Sequence, residues 1–234
     1  MASGQQPHIG EAVVDWRPRP WPQPVSLKGE FCNVVPLAVA HASGLHAAYS
    51  SGSDRDWTYM PYECPGTIAE TQAWIESLIA GDCFFAIEDK SSGAPLGIAS
   101  YIRIDPGNGT IEVAHINFAE PLQRTRLGTE AVYLLLAHAF DDLGYRRCEW
   151  KCDSLNARSR RAALRYGFSF EGIFRQAVIY KGRNRDTSWY AMIDKDWPVL
   201  KRAFETWLAP SNFDAAGRQL SDLGVLTKAA LGSL

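Results

Sequence analysis

Two periods of hydrophobic and polar residues alternate along this chain, and together they predict its order of strands and helices. A period of two residues predicts strands, whereas spacings of three or four residues predict helices that bury one face. The predicted strands are 33–36, 84–88, 96–104, 110–118, 147–152, 168–174 and 187–193. The predicted helices are 38–49, 68–80, 156–166, 197–208 and one that runs from Gly128 to a stop at Gly144.

The order of these elements predicts the fold class. Turn-forming residues at 91–93 and 105–109 join three of the strands into an antiparallel meander. The alternating strands and helices that follow provide the helix-sized crossovers that parallel strands require. We therefore expect an α/β (α+β) fold, with a mixed, mostly antiparallel central sheet of about six to seven strands and helices on both faces.

Length and composition favour one folded domain with an extension at each end. The chain has 234 residues, of which 46% are hydrophobic, enough to bury a sizeable core. Residues 1–26 contain a run of prolines, which lack the backbone donor, so we expect an extended arm there. Residues 27–209 are predicted to form the single domain. Residues 210–234 are rich in small and polar types and predict a loosely held tail or flap.

The charge balance and the cysteines argue against several classes of protein. A net charge of -2 disfavours a protein that coats nucleic acid, although an arginine-rich helix keeps nucleic-acid binding as a minor alternative. The five cysteines are scattered without CxxC spacing, so we expect neither a disulfide framework nor a metal site. No apolar run is long enough to span a bilayer, and the N-terminus lacks the pattern of a signal peptide. We therefore expect a cytoplasmic protein with no membrane partner.

The segment 123–131, with the sequence QRTRLGTEA, lies between a predicted strand and the long amphipathic helix. The first backbone N–H groups of a helix have no intrahelical partner, and the helix dipole adds partial positive charge at that end. A glycine-bearing turn before such a helix therefore predicts an anion site that would fit a pyrophosphate. The alternative is a plain connection between a strand and a helix.

A second motif lies one helix downstream. Asn156 suits a helix N-cap, Ser159 lies in the first turn, and Gly167 with Phe168 follows the helix, although alone these residues could simply cap it. In this order the two motifs resemble the GNAT superfamily of acetyl-CoA-dependent N-acetyltransferases, and within it the ribosomal-protein N-terminal acetyltransferase (RimJ/RimL-like) branch. The resemblance covers roughly residues 27–197 and rests on Gln123, Gly128, Thr129, Glu130, Ala131, Asn156, Ser159, Gly167, Phe168, Glu171 and Gly172.

The resemblance implies a GNAT-type fold that uses acetyl-CoA as a cosubstrate and needs no metal. Backbone from Arg124 to Thr129 would hold the pyrophosphate, and strand backbone at 116–118 would pair with the pantetheine arm. The family's first loop glycine is Arg126 here, which is awkward if that position needs positive φ, although an arginine side chain could itself reach a phosphate. The implied coenzyme contacts are Ile116, Asn117, Phe118, Gln123, Arg124, Thr125, Arg126, Leu127, Gly128, Thr129, Asn156 and Ser159.

Acetyl transfer to an amine needs a base, because an amine is largely protonated at pH 7. Glu112 is the first candidate for this base. The alternative is that its carboxylate is only paired with an arginine. His115 is the second candidate, but strand alternation predicts that it faces away from Glu112, and a lone histidine is often structural. Ser159 is implied near the sulfur as thiolate stabiliser or acid; the alternative is that it only fills the first helical turn.

The loop at 54–63 is the candidate acceptor site, because its carboxylates could attract a cationic amine and its aromatic rings could shape a pocket. The alternative is a proline-ordered loop that only covers the core. Its candidate residues are Trp57, Tyr59, Tyr62 and Glu63.

The leading hypothesis from the sequence is an N-acetyltransferase that moves acetyl from acetyl-CoA to a primary amine by direct attack in a ternary complex. The amine would belong to a protein N-terminus or to a small molecule. The alternative is a catalytically silent acyl-CoA-binding sensor or scaffold, motivated by Arg126 and by the uncertain base. The sequence leaves a homodimer open.

Overall fold

One mixed sheet runs through the part of the chain that the computed structural model describes, residues 9–81 and 83–233. Its strands are β1 (Leu27–Lys28), β2 (Cys32–Pro36), β3 (Cys83–Asp89), β4 (Pro95–Asp105), β5 (Thr110–Phe118), β6 (Arg147–Asp153), β7 (Ser169–Tyr180) and β8 (Arg183–Ile193). They lie in the order β1-β2-β3-β4-β5-β6-β8-β7. Strands β5 and β6 are parallel, and the other neighbouring pairs are antiparallel. The predicted α/β class is confirmed, and the sheet exceeds six to seven strands because β1 adds a two-residue edge.

Helices cover both faces of the sheet, and each face has its own hydrophobic core. Leu45, Ile75 and Phe84 belong to one core, and Phe85 and Leu135 belong to the other. Because Phe84 and Phe85 are consecutive in β3, the two cores lie on opposite sides of the sheet. The helices are α1 (Ala42–Ser50), α2 (Ile68–Ile79), α3 (Arg126–Ala137), α4 (Ala157–Arg165), α5 (Trp197–Leu208) and α6 (Leu223–Leu231). In the described part of the chain, no helix has both the length and the apolar character needed to cross a membrane.

The sheet opens between its two parallel strands. Residues 110–112 of β5 pair with residues 147–149 of β6, and no pairing between the two strands is recorded beyond Glu112 and Glu149 in the described part. The rest of β5 therefore diverges from β6, and the backbone groups on that side of β5 are not paired with β6. A gap of this kind can admit an extended ligand between two strands.

A β-bulge lies in β5 just beyond the last paired residue. Ala114 is paired with Ser100, and Asn117 is paired with Ile98, so β5 has one residue more than β4 across this interval. His115 lies inside the bulge and has a φ of 48°, which is rare for a residue other than glycine. The extra residue shifts the alternation of side chains along the second half of β5.

The arm before β1 lies along the turn that joins β4 to β5. The indole N–H of Trp16 donates to the carbonyl of Gly107 at 2.7 Å, and the backbone N–H of Arg19 donates to Pro106 at 3.0 Å. The described part of the arm is thus attached to the domain through one tryptophan and backbone hydrogen bonds.

The C-terminal segment is not loosely held over its helical part, which corrects the expectation from composition. Leu223 and Thr227 of α6 are fully buried. The hydroxyl of Thr227 donates to the carbonyl of Arg165 at 3.1 Å, which fixes α6 to the end of α4. The small and polar residues of this segment therefore form a helix that packs through one face, an arrangement that composition alone does not reveal.

Candidate active site

A cavity of about 1820 Å³ connects the N-terminus of α3 with the open part of the sheet. We call its two regions the helix end and the sheet end. The helix end is lined by residues such as Gln123, Arg124, Thr125, Gly128, Thr129, Arg161, Arg165 and Lys228, and the sheet end by residues such as Tyr59, Arg103, Glu112, His115, Lys151, Arg185, Thr187 and Trp189. Ile116, Asn117, Phe118, Asn156 and Ser159 line the part between the two ends.

Thr125 begins α3 and shapes the helix end. Its hydroxyl accepts from the N–H of Gly128 at 3.1 Å and donates to the carbonyl of Leu122 at 2.7 Å. The N–H groups of Arg126 and Leu127 belong to the first turn, where no intrahelical acceptor exists, so they are available to an anion. The residue with positive φ in this loop is Arg124, at 60°, and not Arg126. The arginine at the family's glycine position therefore does not strain the backbone.

Gly128 is needed for close packing rather than for an unusual φ. A Cβ at this position would lie 2.6 Å from the carbonyl oxygen of Leu122 and 3.5 Å from the ring of Phe118. The side-chain amide of Gln123 donates to the carbonyl of Phe118 at 2.8 Å. Together these contacts hold the start of α3 against the end of β5, where the anion site and the strand backbone meet.

The side chain of Arg126 points away from the cavity. Its guanidinium lies over the rings of Phe31 and Phe213, at 4.2 Å and 4.0 Å from their centres, and donates to the carbonyl of Leu208 at 3.0 Å. Leu127 also lies outside the lining, and its carbonyl accepts from the thiol of Cys32 at 3.6 Å. Of the predicted coenzyme contacts, Arg126 and Leu127 can therefore act only through their backbone N–H groups. The guanidinium of Arg126 does not extend toward the helix end, where a phosphate contact had been considered.

Ser159 is held where the two halves of the cavity meet. The Asn156 side chain caps α4 by accepting from the N–H of Ser159 at 3.1 Å, and the Ser159 hydroxyl accepts from the indole N–H of Trp150 at 2.9 Å. Since an indole N–H only donates, the serine proton stays available for another acceptor. Burial raises the pKa of the neighbouring Cys152 thiol, and its hydrogen bond with Ser159 acts in the opposite direction. Sequence reasoning missed Trp150, although strand alternation places it on the inward face with Cys148 and Cys152.

Four basic side chains surround the helix end: Arg124, Arg161, Arg165 and Lys228. Within the described residues none of them forms an ion pair, and Arg165 donates to the hydroxyl of Thr129 at 3.2 Å. Other arginines of α4 are already engaged, since Arg158 pairs with Asp56 at 2.9 Å. The sequence pointed to the α4 arginines as a group, but it could not show that α6 would add Lys228 to the same wall.

Glu112 is buried at the sheet end and forms two ion pairs. Its Oε2 lies 2.8 Å from Arg103 and 2.9 Å from the amine of Lys151. Lys151 is itself buried, contacts Glu149 at 2.6 Å, and lies 3.8 Å from the ring centre of Trp189. The alternative of an arginine partner for Glu112 is therefore present, together with a second cationic partner, Lys151, that sequence reasoning did not connect with Glu112.

His115 faces the same cavity as Glu112, so the expectation that the two residues face opposite ways is wrong. The bulge in β5 inserts one residue and reverses the alternation that a regular strand would have kept. Its Nδ1 lies 3.1 Å from the hydroxyl of Tyr62, and its ring packs against the rings of Tyr62 and Phe84 at 5.8 Å and 5.1 Å. The histidine is thus oriented by an aromatic cluster at the edge of the cavity.

The aromatic loop meets the cavity through fewer residues than the sequence predicted. Tyr59 lines it and donates from its hydroxyl to the carbonyl of Leu155 at 3.2 Å. Trp57 is a core residue, 4% exposed, and Tyr62 is outside the lining and reaches the cavity only through its contact with His115. Glu63 is largely exposed and pairs with Lys181 at 3.1 Å. The loop covers core with Trp57 and borders the cavity with Tyr59, so both alternatives hold in part.

No group of three or more histidine, cysteine, aspartate or glutamate side chains is arranged to hold a metal ion in the portion of the chain that is described.

Comparison with known proteins places this geometry in a family. Residues 33–169 match the family model described as acetyltransferase (GNAT) domain. The ribosomal-protein-serine acetyltransferase of Escherichia coli (strain K12) is 33% identical over 98 residues, which is 42% of this chain and 54% of that protein. The match thus spans about half the length of this curated relative. It supports the resemblance to the ribosomal-protein N-terminal acetyltransferase branch.

Two solved structures are similar over most of the chain. A GCN5-related N-acetyltransferase from Brucella melitensis is 42% identical, with a TM-score of 0.90 over 92% of this chain and 100% of that one. A probable acetyltransferase of the GNAT family from Chromobacterium violaceum ATCC 12472 is 38% identical, with a TM-score of 0.76 over 84% of this chain and 100% of that one.

Proposed function

Since the chain belongs to the GNAT family of acetyltransferases, whose acyl donor is acetyl-CoA, we propose that it transfers the acetyl group of acetyl-CoA to a primary amine by direct attack in a ternary complex. The amine belongs to a protein N-terminus or to a small molecule. One observation carries this proposal: a single cavity joins the anion site at the start of α3 to Glu112 and His115 through the gap between β5 and β6.

The residues of the helix end fit the phosphates of the coenzyme. Backbone N–H groups from Arg124 to Thr129 would hold the pyrophosphate, with Arg161 and Arg165 close to the same region. The backbone of β5 at 116–118 would pair with the pantetheine arm. The side-chain amide nitrogen of Asn117 is buried in this region and has no hydrogen-bond partner among the described residues, which suits a site that a polar ligand completes.

The proposed chemistry assigns one task to each group near the gap. The amine nitrogen attacks the thioester carbonyl, a backbone N–H of the splayed strand donates to the developing oxyanion, and the Ser159 hydroxyl donates a hydrogen bond to the departing thiolate. The proton that the amine loses balances the proton that the released thiol takes up from water, so Ser159 ends the step unchanged. The two cationic partners of Glu112, Arg103 and Lys151, both contact Oε2, which leaves Oε1 to accept a proton from the amine. His115 is the second candidate for this role, because it faces the same cavity.

Calorimetric titration with acetyl-CoA, followed by initial rates with both substrates varied, tests this proposal. We expect binding at one site per chain and reciprocal plots that intersect, because both substrates must be bound before transfer. Parallel plots would mean that an acetyl-enzyme forms first and would overturn direct attack. Binding without transfer to any amine of a panel of peptides, polyamines and aminoglycosides would favour the silent sensor. Of the two motives for that alternative, the uncertain base remains, whereas positive φ at Arg126 is absent from the loop.

A further inference from the structure

Three donor atoms lie in a row at the sheet end of the cavity. They are Nε of Arg185, the hydroxyl of Thr187 and the indole nitrogen of Trp189; the three residues occupy alternate positions of β8 and belong to the cavity lining. Alternate residues of a strand point to the same side of the sheet, and Lys151 lies on that side because it is 3.8 Å from the Trp189 ring. We call these three residues the β8 donor row.

All three atoms of the β8 donor row are buried and have no hydrogen-bond partner among the described residues. Thr187 is 5% exposed, so its hydroxyl has little access to water. Arginine and tryptophan nitrogens can only donate, and a buried donor without an acceptor is unfavourable because its lost hydration is not replaced. Three such donors side by side indicate a group with several acceptor oxygens as the missing partner.

The charges around the β8 donor row favour an anion. At the sheet end, Arg103 and Lys151 both pair with Glu112, and Arg158 pairs with Asp56. Arg185 has no ion pair among the described residues. The charged residues that line this region are five cations, Arg55, Arg103, Lys151, Arg158 and Arg185, and three carboxylates, Asp56, Glu112 and Asp153. Glu149, outside the lining, adds one further carboxylate through its contact with Lys151, so the cations still outnumber the carboxylates.

We propose that the acceptor is an amine that carries a carboxylate or phosphate group a few atoms from its nitrogen, and that the β8 donor row binds this group. The inference rests on the proposed function and narrows its substrate class. The amine meets Glu112 while the anionic oxygens accept hydrogen bonds from Arg185, Thr187 and Trp189. Polyamines and aminoglycosides would instead bring more positive charge to a region that already has an excess.

Matched pairs of acceptors test the inference. The first pair is O-phosphoethanolamine and ethanolamine, and the second is a tetrapeptide amide beginning serine–glutamate and its serine–glutamine counterpart. KM comes from thiol release in the presence of acetyl-CoA, and Kd comes from calorimetry in the presence of CoA, where no transfer occurs. We expect at least one anionic member to have KM and Kd about tenfold lower than its neutral partner, since hydrogen bonds to a charged group are stronger than those to a neutral group. An effect in the first pair would identify the bound group as a phosphate, and an effect in the second pair would identify it as a carboxylate.

Variants in the β7–β8 hairpin distinguish specific binding of the anionic group by the β8 donor row from a general attraction by positive charge. Arg185→Gln should raise the anionic-to-neutral ratio of Kd from about 0.1 to close to one, and Thr187→Val should raise it part of the way. Arg183→Gln is the matched control, because Arg183 is exposed on the same hairpin and outside the cavity lining, so the ratio should stay as in the wild type. Equal or tighter binding of the neutral members, or a preference that survives Arg185→Gln, would overturn the inference.

The same measurements distinguish failure of the inference from failure of the proposed function. Transfer to amines without any anionic preference would leave an acetyltransferase and remove the role of the β8 donor row. Arg185-dependent binding of the anionic members, with no transfer to any amine, would keep the donor row and overturn the enzymatic proposal.

Discussion

Both ion-pair partners of Glu112 contact the same carboxylate oxygen, Oε2. Arg103 and Lys151 thereby keep a buried charge compensated, and among the described residues no hydrogen bond occupies Oε1. Removing one partner of such a buried pair would leave the other uncompensated. The pairing therefore orients Glu112 and leaves one oxygen free toward the cavity.

Replacing Glu112 by glutamine should lower kcat by about 100-fold or more, because the amide keeps the shape but cannot take a proton. The Kd for acetyl-CoA should change little, since the proposed coenzyme contacts lie mainly at the helix end of the cavity. Rates from thiol release and affinities from calorimetry check both points.

Glu149→Gln is the control for Glu112→Gln. Glu149 also pairs with Lys151, but it lies outside the cavity lining. A loss of rate as large as that of Glu112→Gln would mean that the charge network as a whole matters, and that Glu112 has no direct role in proton transfer.

Among the elements, α3 is anchored by a carboxylate in its own first turns. Glu130 is 5% exposed and accepts hydrogen bonds from the backbone N–H groups of Glu30, Phe31 and Cys32 at 2.7, 2.8 and 2.8 Å. The turn between β1 and β2 thereby fixes the helix whose N-terminus forms the anion site. Glu130, which the resemblance grouped with the coenzyme loop, thus stabilises that loop by anchoring the helix that follows it.

Glu130→Gln should lower the free energy of unfolding by about 2 kcal/mol, because an amide offers one acceptor oxygen where the carboxylate offers two. Urea unfolding followed by circular dichroism measures this loss. Glu120→Gln, at an exposed position before α3, should shift the midpoint little. Equal stability of the Glu130 variant and the wild type would show that the three backbone donors find other partners.

Arg147 of β6 joins its own strand to β7 across the intervening strand β8. It contacts Glu149 at 2.8 Å and Glu171 at 2.6 Å. Hydrogen bonds from Arg147 lower the pKa of Glu171. Burial acts to raise the pKa of Glu149, but hydrogen bonds from Lys151 and Arg147 outweigh it and leave the pKa below its ordinary value.

A carboxyl whose pKa is lower in the folded state stabilises the fold above its unfolded pKa, and this contribution disappears as the pH falls through the folded pKa. Glu171→Gln should therefore lower Tm at pH 7, and the difference from the wild type should shrink as the pH falls below about 4.5, the ordinary value for glutamate. Thermal unfolding over a pH series measures it. A difference in Tm that stays constant down to pH 3 would contradict the assignment.

For the whole molecule, the C-terminal segment completes the cavity wall that the central domain leaves open. Helix α6 packs on the end of α4 and brings Lys228 to the helix end of the cavity. Lys228→Gln should raise the Kd for acetyl-CoA about fivefold, since an exposed charge contact contributes up to roughly 1 kcal/mol. The effect should weaken at high salt.

Lys201→Gln is the matched control for Lys228→Gln, because Lys201 lies on α5 and pairs with Asp141 at 2.9 Å, away from the cavity. Calorimetry at low and high salt compares the two variants. Identical Kd values for the Lys228 variant and the wild type would limit α6 to a packing role.

The sequence was sufficient for the order of the elements from β2 to α5 and for the two motifs, because both depend on local spacing, but it did not predict β1 or α6. The sequence was insufficient to place the side chain of His115. Strand alternation cannot show the residue that the bulge inserts, so it predicted the wrong face of the sheet for this histidine. Lys151 could not be assigned to Glu112 because the two residues meet only when β5 and β6 pair. Likewise, the β8 donor row depends on tertiary contacts that are absent from the pattern of residues.

The function proposed for this cavity is the transfer of acetyl from acetyl-CoA to an amine nitrogen. The most direct test is mass spectrometry of the amine panel after incubation with the wild-type protein and acetyl-CoA, with thiol release followed in parallel. We predict an acetylated amine in amounts equal to the thiol released, and almost none with Glu112→Gln. Bound acetyl-CoA with no acetylated amine across the panel, or thiol release without such a product, would contradict the account.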